Sequence, residues 1–193
     1  MSLASVHQEI RADESNRWAA DLGYEPIYAA APAARIAIIG QAPGRRAQES
    51  GIPWDDASGE TLRDWLGIDR DTFYDPNRIA LLPIDFYYPG KGVHGDLPPR
   101  KDFATRWHHR ILAQLGKITL TLLLGSYAQH HYLGPSAKRN LTETVRSAND
   151  YLPNYLPLVH PSPLNFRWQS KNPWFRQTTI PMLQRTFALT LES

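Results

Sequence analysis

Short apolar runs alternate with amphipathic stretches along most of the chain. Residues 35–40 form a run rich in β-branched side chains that ends in a Gly-Pro turn, which is typical of a strand buried on both faces. Similar runs predict three further strands, over residues 79–83, 119–124 and 155–159. Helical spacing of apolar residues predicts helices over residues 58–66 with Ser58 as N-cap, over 99–115, over 125–133, and from 172 onward with an interruption or kink at Pro181.

This order of elements predicts an α/β fold. Strands that alternate with helices form a parallel sheet that is covered on both faces. We therefore expect a three-layer α/β/α sandwich around a central, mainly parallel four-stranded sheet, in a single domain over residues 1–193. Two connections, residues 85–98 and 133–153, are long enough to suggest functional loops.

Composition narrows the class of protein. A hydrophobic fraction of 42% is sufficient for a real core, and no apolar run reaches the roughly 20 residues that span a bilayer. The first residues lack the apolar segment of a signal peptide, which predicts a cytoplasmic location. The absence of cysteine excludes disulfides, cysteine-ligated zinc and a cysteine-held iron–sulfur cluster.

Charge is unevenly distributed although its net value is only +2. Residues 134–176 contain six basic and two acidic side chains, whereas residues 45–75 contain eight acidic and four basic ones. A polyanion would approach the C-terminal third. An ordinary solvated surface explains the charge pattern equally well.

Three unusual segments follow predicted strands. Residues 40–44 read GQAPG, residues 83–90 read PIDFYYPG, and residues 160–165 read HPSPLN. Ligands of open parallel sheets bind beyond the carboxyl ends of the strands. We therefore expect the three segments to converge on one rim.

These motifs resemble those of the uracil-DNA glycosylase superfamily. The GQAPG loop, the segment Gly51-Ile52-Pro53-Trp54 and Ser58-Gly59 resemble the first motif, and residues 160–165 resemble the last. Residues 120–128 resemble the strand-Gly-x-x-Ala stretch between them, so that the similarity covers roughly residues 35–187. The resemblance implies an enzyme that extrudes a damaged base from DNA and cleaves its glycosidic bond.

His160 is the predicted catalytic donor. Cleavage of a glycosidic bond to a pyrimidine leaves negative charge on a ring carbonyl of the departing base, and a fixed hydrogen-bond donor at that oxygen lowers the barrier. The alternative is a histidine that is satisfied by backbone at a strand end. Trp54 is predicted to stack on the extruded base, with core packing as its alternative, and both rings are expected to line one cavity.

The loop after His160 is predicted to engage DNA. Leu164 would enter the vacated base stack as an apolar wedge, unless the proline-rich turn buries it in the core. Arg167 and Lys171 would hold flanking phosphates. The remaining predicted contacts to DNA are Gly44, Pro161, Ser162, Pro163 and Asn165, and the predicted base-binding residues are Ala42, Pro43, Trp54 and Pro83.

The chain departs from the superfamily pattern at the water nucleophile. The best-known branch has an aspartate at the position that matches Ala42, and cluster-containing relatives have a glutamate at the position of Gln41. An amide can orient water but is a poor base. Asp85 is the nearest predicted replacement, with a turn-stabilising role as its alternative. Pro83 stands near the position where relatives read the base with an asparagine, so uracil is not assured as the substrate.

Other chemistries have little support. The adjacent pairs His108-His109 and His130-His131 point their side chains about 100° apart on a helix, so no metal site is expected. Residues 40–44 form neither a Walker loop nor a dinucleotide-binding loop.

The sequence therefore predicts a monofunctional DNA glycosylase that acts as a monomer on DNA containing a damaged base. It would use water and no cofactor, metal or membrane. Two alternatives stay open, namely a catalytically weakened DNA- or nucleotide-binding module of the same fold, and a hydrolase of free nucleosides or nucleotides.

Overall fold

A parallel sheet forms the centre of the molecule. The computed structural model describes residues 2–93 and 95–192. Its strands are β1 (Ile36–Ile39), β2 (Ile79–Leu81), β3 (Lys91–Gly92), β4 (Gly95–Asp96), β5 (Leu120–Leu124) and β6 (Tyr155–Leu158). The central sheet has the order β2-β1-β5-β6 with every neighbouring pair parallel, while β3 and β4 form a small antiparallel hairpin. The predicted four-stranded sheet is confirmed.

Helices cover both faces of this sheet. They are α1 (Leu3–Ala12), α2 (Arg17–Asp21), α3 (Arg45–Ser50), α4 (Ala57–Leu66), α5 (Arg70–Tyr74), α6 (Phe103–Leu112), α7 (Gly125–Leu133), α8 (Leu141–Arg146), α9 (Phe166–Lys171) and α10 (Ile180–Glu192). None of the helices in the described part of the chain has the length and apolar character needed to cross a bilayer.

Successive side chains along a strand pack into two separate apolar clusters, one on each face of the sheet. On β1, Ala37 and Ile39 belong to the cluster that contains α1 and α6, whereas Ile36 and Ile38 belong to the cluster that contains α4 and α10. Because side chains alternate across a strand, full burial of β1 requires apolar residues at every position. The three-layer α/β/α arrangement is therefore confirmed.

Several predicted boundaries need correction. Helix α4 begins at Ala57 with Asp56 as its N-cap, not Ser58, because the Asp56 side chain accepts a hydrogen bond from the Gly59 N–H. Helix α6 begins at Phe103 and is shorter than predicted. The two long connections are partly ordered, since the first contains the β3–β4 hairpin and the second contains α8.

The C-terminal helix changes its hydrogen-bonding pattern just before Pro181. A π-helical turn over Phe175–Thr179 precedes α10, and Pro181 is the second residue of α10. Proline is tolerated in the first turn of a helix, where its missing N–H has no intrahelical partner. The predicted interruption at Pro181 takes the form of a change from π-helical to α-helical structure between Thr179 and Ile180, with no gap in the helix.

The strand order places a crevice at the carboxyl edge of the sheet. The chain passes from β1 outward to β2 on one side, and from β5 outward to β6 on the other. β1 and β5 are neighbours, so the connections that leave them run in opposite directions. Such a switch point is where open α/β sheets bind ligands.

Candidate functional site

Loops that follow the strands surround a cavity of about 340 Å³ at this edge. That volume lies at the small end of ligand sites, about 300–1,000 Å³. The Ile84 N–H donates to the Gly40 carbonyl at 3.0 Å and the Asp85 N–H donates to the Gln41 carbonyl at 3.1 Å, which holds the loop after β2 against the loop after β1. The predicted site residues that line the cavity are Gln41, Ala42, Pro43, Gly44, Trp54, Pro83, His160, Ser162, Leu164 and Asn165.

Five predicted site residues lie outside the cavity lining. Pro161 is buried, while Pro163, Arg167 and Lys171 are exposed outside the lining. Asp85 is completely buried beneath it. The convergence of the three loop segments therefore holds, but membership of a motif does not guarantee access to the cavity.

Asp85 has a different environment from the one predicted. Its Oδ2 accepts from Arg100 Nε at 2.7 Å, and its Oδ1 accepts from Arg100 Nη2 at 2.8 Å and from the Tyr87 N–H at 3.1 Å. Both carboxylate oxygens are engaged away from the cavity. The structure thus favours the turn-stabilising alternative, and the water-activating role predicted for Asp85 is not supported.

His160 is held in one tautomer at the end of β6. The Ser162 N–H donates to His160 Nδ1 at 3.2 Å, so the neutral ring carries its proton on Nε2. Within the described residues Nε2 has no hydrogen-bond partner. The Asn165 side chain fixes the same loop by donating to the His160 carbonyl at 2.9 Å. His160 therefore presents an unused N–H donor at the cavity.

Burial keeps this imidazole neutral. Desolvation lowers the pKa of His160 to about 4, and the Asp56 carboxylate opposes this shift. The donor is thus uncharged at neutral pH.

Gly125 allows β5 and β6 to approach each other closely next to His160, because a Cβ at position 125 would lie 3.3 Å from the His160 Cβ.

A second buried histidine supports the cavity wall. His108 Nε2 donates to the Pro83 carbonyl at 2.9 Å, and the Tyr132 hydroxyl donates to His108 Nδ1 at 2.6 Å. Burial lowers the pKa of His108 to about 4. In the sequence, His108 stands out only as part of a histidine pair that is unsuited to bind a metal. No local pattern indicates its contact with Pro83.

These two histidines predict a pH-dependent stability. The unfolded chain protonates histidine near pH 6.5 and the folded protein only near pH 4, so the unfolded state binds more protons between these values. The free energy of unfolding should therefore fall as pH falls, by roughly 1.5 kcal/mol per histidine between pH 6.5 and 5. Urea denaturation at several pH values measures this slope. His160→Gln should have a shallower slope, and an unchanged one would contradict the burial of His160.

Trp54 lies against His160 in the cavity. Their ring centroids are 5.5 Å apart with an interplanar angle of 26°. Gly40 makes room for the indole, since a Cβ at Gly40 would lie 2.6 Å from Trp54 Cζ2. Trp54 has a left-handed φ of 60° and also packs on the core beside α4, so the predicted cavity role and the core alternative both describe it.

Leu164 projects from the loop that follows His160. It lies in the 3₁₀ turn Pro163–Asn165, where the Ser162 hydroxyl accepts from the Leu164 N–H at 3.3 Å. Its side chain is 84% exposed, so the alternative that the turn buries Leu164 is wrong. An apolar side chain held on a capped turn at a cavity rim is available to a partner.

Two acidic residues at the cavity were missed. Asp56 and Asp96 both line it, and their Oδ2 atoms lie 3.6 and 3.9 Å from the position that a Cβ on Gly44 would occupy. Aspartate is a favoured N-cap residue, so the sequence contains a signal for Asp56, but the predicted helix start placed the N-cap at Ser58 instead. Asp96 reaches the cavity through the β3–β4 hairpin, which carried no sequence signal.

The remaining charged groups of the predicted DNA-binding region differ in whether they are paired. Within residues 2–93 and 95–192, no three histidine or acidic side chains are grouped as metal ligands. In the basic segment, Lys138 is paired with Asp150. Arg139, Arg167 and Lys171 are exposed and make no ion pair inside the described ranges.

Fold and site together define an α/β protein with a small cavity at the switch point of its parallel sheet. A family model for the uracil DNA glycosylase superfamily matches residues 27–184. The chain belongs to this superfamily. Because the sequence contains no cysteine, it is a member that cannot hold a cysteine-ligated iron–sulfur cluster.

Proposed function

We propose that this protein is a monofunctional DNA glycosylase, which hydrolyses the N-glycosidic bond of a deaminated or damaged base and leaves an abasic site. The observation that carries the proposal is the neutral His160 donor beside Trp54 in one cavity. Superfamily membership supports the reaction class. The finer assignments, a cytoplasmic monomer without cofactor, are part of the same proposal.

The two aromatic rings suit a flat ligand. An oxygen that accepts a hydrogen bond from His160 Nε2 lies close to the imidazole plane, and this plane is within 26° of the indole plane. A base that is coplanar with the imidazole would therefore be nearly parallel to the Trp54 ring and could stack on it while His160 donates to its edge. Stacking of a base on an aromatic side chain contributes about 1–3 kcal/mol. Pro43, Ala42 and Pro83 complete a largely apolar wall.

His160 would act on the leaving group. When the bond between C1′ and the base nitrogen breaks, its electron pair moves onto the base and much of the charge reaches a ring carbonyl. The Nε2–H donates to that oxygen without losing its proton, because the ring is neutral and Nδ1 is held by Ser162. The donor needs no reorganisation during the reaction, which is the condition for electrostatic stabilisation.

Gln41 supplies one group for the water. It lines the cavity, and its side-chain amide makes no hydrogen bond to any described residue. The amide can orient water but does not accept a proton. Ala42 leaves the neighbouring position without a carboxylate.

DNA would approach the face that carries Leu164. Extrusion of a nucleotide costs a few kcal/mol of stacking and pairing, and an apolar wedge in the vacated stack offsets part of it. Arg167 and Lys171 follow on α9 and are free to meet flanking phosphates. Backbone amides around Gly44 and the hydroxyl of Ser162 would complete the phosphate contacts.

The test is incubation with single- and double-stranded oligonucleotides that contain uracil, hypoxanthine or xanthine, followed by alkaline cleavage. Strand breaks at the damaged base support the proposal. The missing carboxylate at Ala42 favours one second candidate, a module that binds damaged DNA without cutting it. Tight binding with no strand break would select that candidate, and turnover of free nucleosides alone would select a nucleoside hydrolase.

Replacing Leu164 should reduce activity on double-stranded DNA more than activity on single-stranded DNA. Leu164→Ala removes an 84% exposed side chain, so the fold should be unaffected. We expect kcat/KM on double-stranded substrate to fall about tenfold, because about 1.4 kcal/mol of the offset to extrusion is lost, with a smaller fall on single strands. Leu189→Ala, at a 63% exposed position on α10, is the matched control. Equal losses on both DNA forms would contradict a wedge.

A further inference from the structure

We infer that Asp56 is a further catalytic residue of this cavity, which accepts a proton from the attacking water. The inference rests on the proposed glycosylase function. It assigns to Asp56 the carboxylate chemistry that Ala42 lacks.

Asp56 is fixed in position by the helix that it caps. Its Oδ1 accepts from the Gly59 N–H at 2.9 Å, and this bond holds the side chain at the start of α4. Its Oδ2 is turned toward Gly44, at 3.6 Å from the position of a Cβ there. One oxygen therefore anchors the group, while the other faces the cavity that Asp56 lines.

The carboxylate acts on the same space as His160. The N-terminal end of a helix favours a negative charge. The Asp56 charge raises the pKa of His160 against the stronger effect of burial, so its field reaches the imidazole across the cavity. A negative group here also faces the positive charge that develops on the sugar as the glycosidic bond breaks.

Competing carboxylates are less suitable. Asp85 is locked to Arg100, and Asp55 pairs with Arg70 at 3.2 Å. Asp96 lines the cavity, but it is exposed on the β3–β4 hairpin and accepts from the Tyr88 hydroxyl at 3.3 Å. Asp56 is the half-buried candidate with a fixed geometry.

The reaction balances with this assignment. The water oxygen forms a bond to C1′ as the bond from C1′ to the base nitrogen breaks, and the electron pair of that bond leaves with the base. One water proton passes to Oδ2 of Asp56. The base anion is held by the His160 N–H until it takes up a proton from solvent, and Asp56 then returns its proton to solvent.

Asp56→Asn is the decisive variant. Asparagine caps a helix as well as aspartate does, so the fold should persist while the charge and the proton acceptor are lost. We expect kcat on the best damaged-base oligonucleotide to fall about 10²-fold, with DNA affinity unchanged or tighter. Asp69→Asn is the matched control, because Asp69 caps α5 in the same way but lies outside the cavity lining.

Chemical rescue distinguishes a proton acceptor from a structural cap. Asp56→Ser keeps a capping side chain and leaves space in the cavity, so formate should restore part of its lost kcat. Asp96→Asn should lose less activity than Asp56→Asn. Full activity in Asp56→Asn, a larger loss in Asp96→Asn, or a loss confined to KM would overturn the inference while wild-type excision stands. A wild-type protein that excises no base would overturn the proposed function, and this inference with it.

Discussion

Replacing His160 with alanine should lower kcat for base excision by about 10²–10³-fold, with DNA binding retained. The reason is that a preorganised donor of this kind contributes mainly in the transition state, where the leaving base carries its charge. Ser162 holds the imidazole so that its Nε2–H faces the cavity, and alanine supplies no donor there. Single-turnover assays measure the loss directly, and titration of labelled DNA measures affinity.

The control for this variant is a histidine outside the site. His109 is exposed on α6, and its Nδ1 is hydrogen-bonded to the Thr105 carbonyl of the same helix at 3.0 Å. His109→Ala should therefore leave excision unchanged. A His160→Ala protein that folds normally and keeps more than a tenth of wild-type kcat would contradict the role of His160.

Removing the Asp85 carboxylate should destabilise the fold by about 3–5 kcal/mol, because Asp85→Ala leaves a guanidinium beneath the cavity without its partner. The Asp85 side chain is 1% exposed and that of Arg100 is 27% exposed. Arg100 also lies over the Phe103 ring at 4.5 Å, so its charge cannot simply turn to solvent without loss of packing. Urea denaturation monitored by tryptophan fluorescence measures the change in the free energy of unfolding.

An exposed ion pair provides the comparison. Arg45 and Glu49 are 3.6 Å apart on α3 with both side chains mostly exposed, so Glu49→Ala should change stability by under about 1 kcal/mol. Asp85→Asn separates structure from catalysis. If that variant unfolds like wild type but has lost excision, the water-handling role that the sequence suggested for Asp85 would be restored.

The sheet was predictable because its strands carry a local signal. β1 is apolar at every position and β5 at every position except Thr121, a pattern typical of strands covered on both faces, and the observed bounds lie within two residues of the predicted ones. Helix starts were less predictable. Asp56 and Ser58 are both good N-caps by residue type, so the sequence alone does not distinguish them, and in the structure the Asp56 side chain accepts from the Gly59 N–H.

The candidate site was predictable only where motifs follow strands. His160 and Gln41 lie two residues beyond the ends of β6 and β1, so the topology of the sheet brings them together. Asp85 also follows a strand, β2, but its partner is Arg100, and nothing local indicates a pairing across fifteen residues. Likewise, the approach of Asp96 depends on a hairpin of two-residue strands, which is too short to leave a hydrophobic pattern.

The guanidinium of Arg100 also reaches the start of the chain. Its Nη1 donates to the Asn16 side chain at 2.7 Å and to the Ser15 carbonyl at 3.0 Å, while Nε and Nη2 hold Asp85. Ser15 and Asn16 precede residue 27, where the match to the superfamily begins. The segment between α1 and α2 therefore supports the floor of the cavity through Arg100, and a protein truncated to the residues that match the superfamily would lose this support.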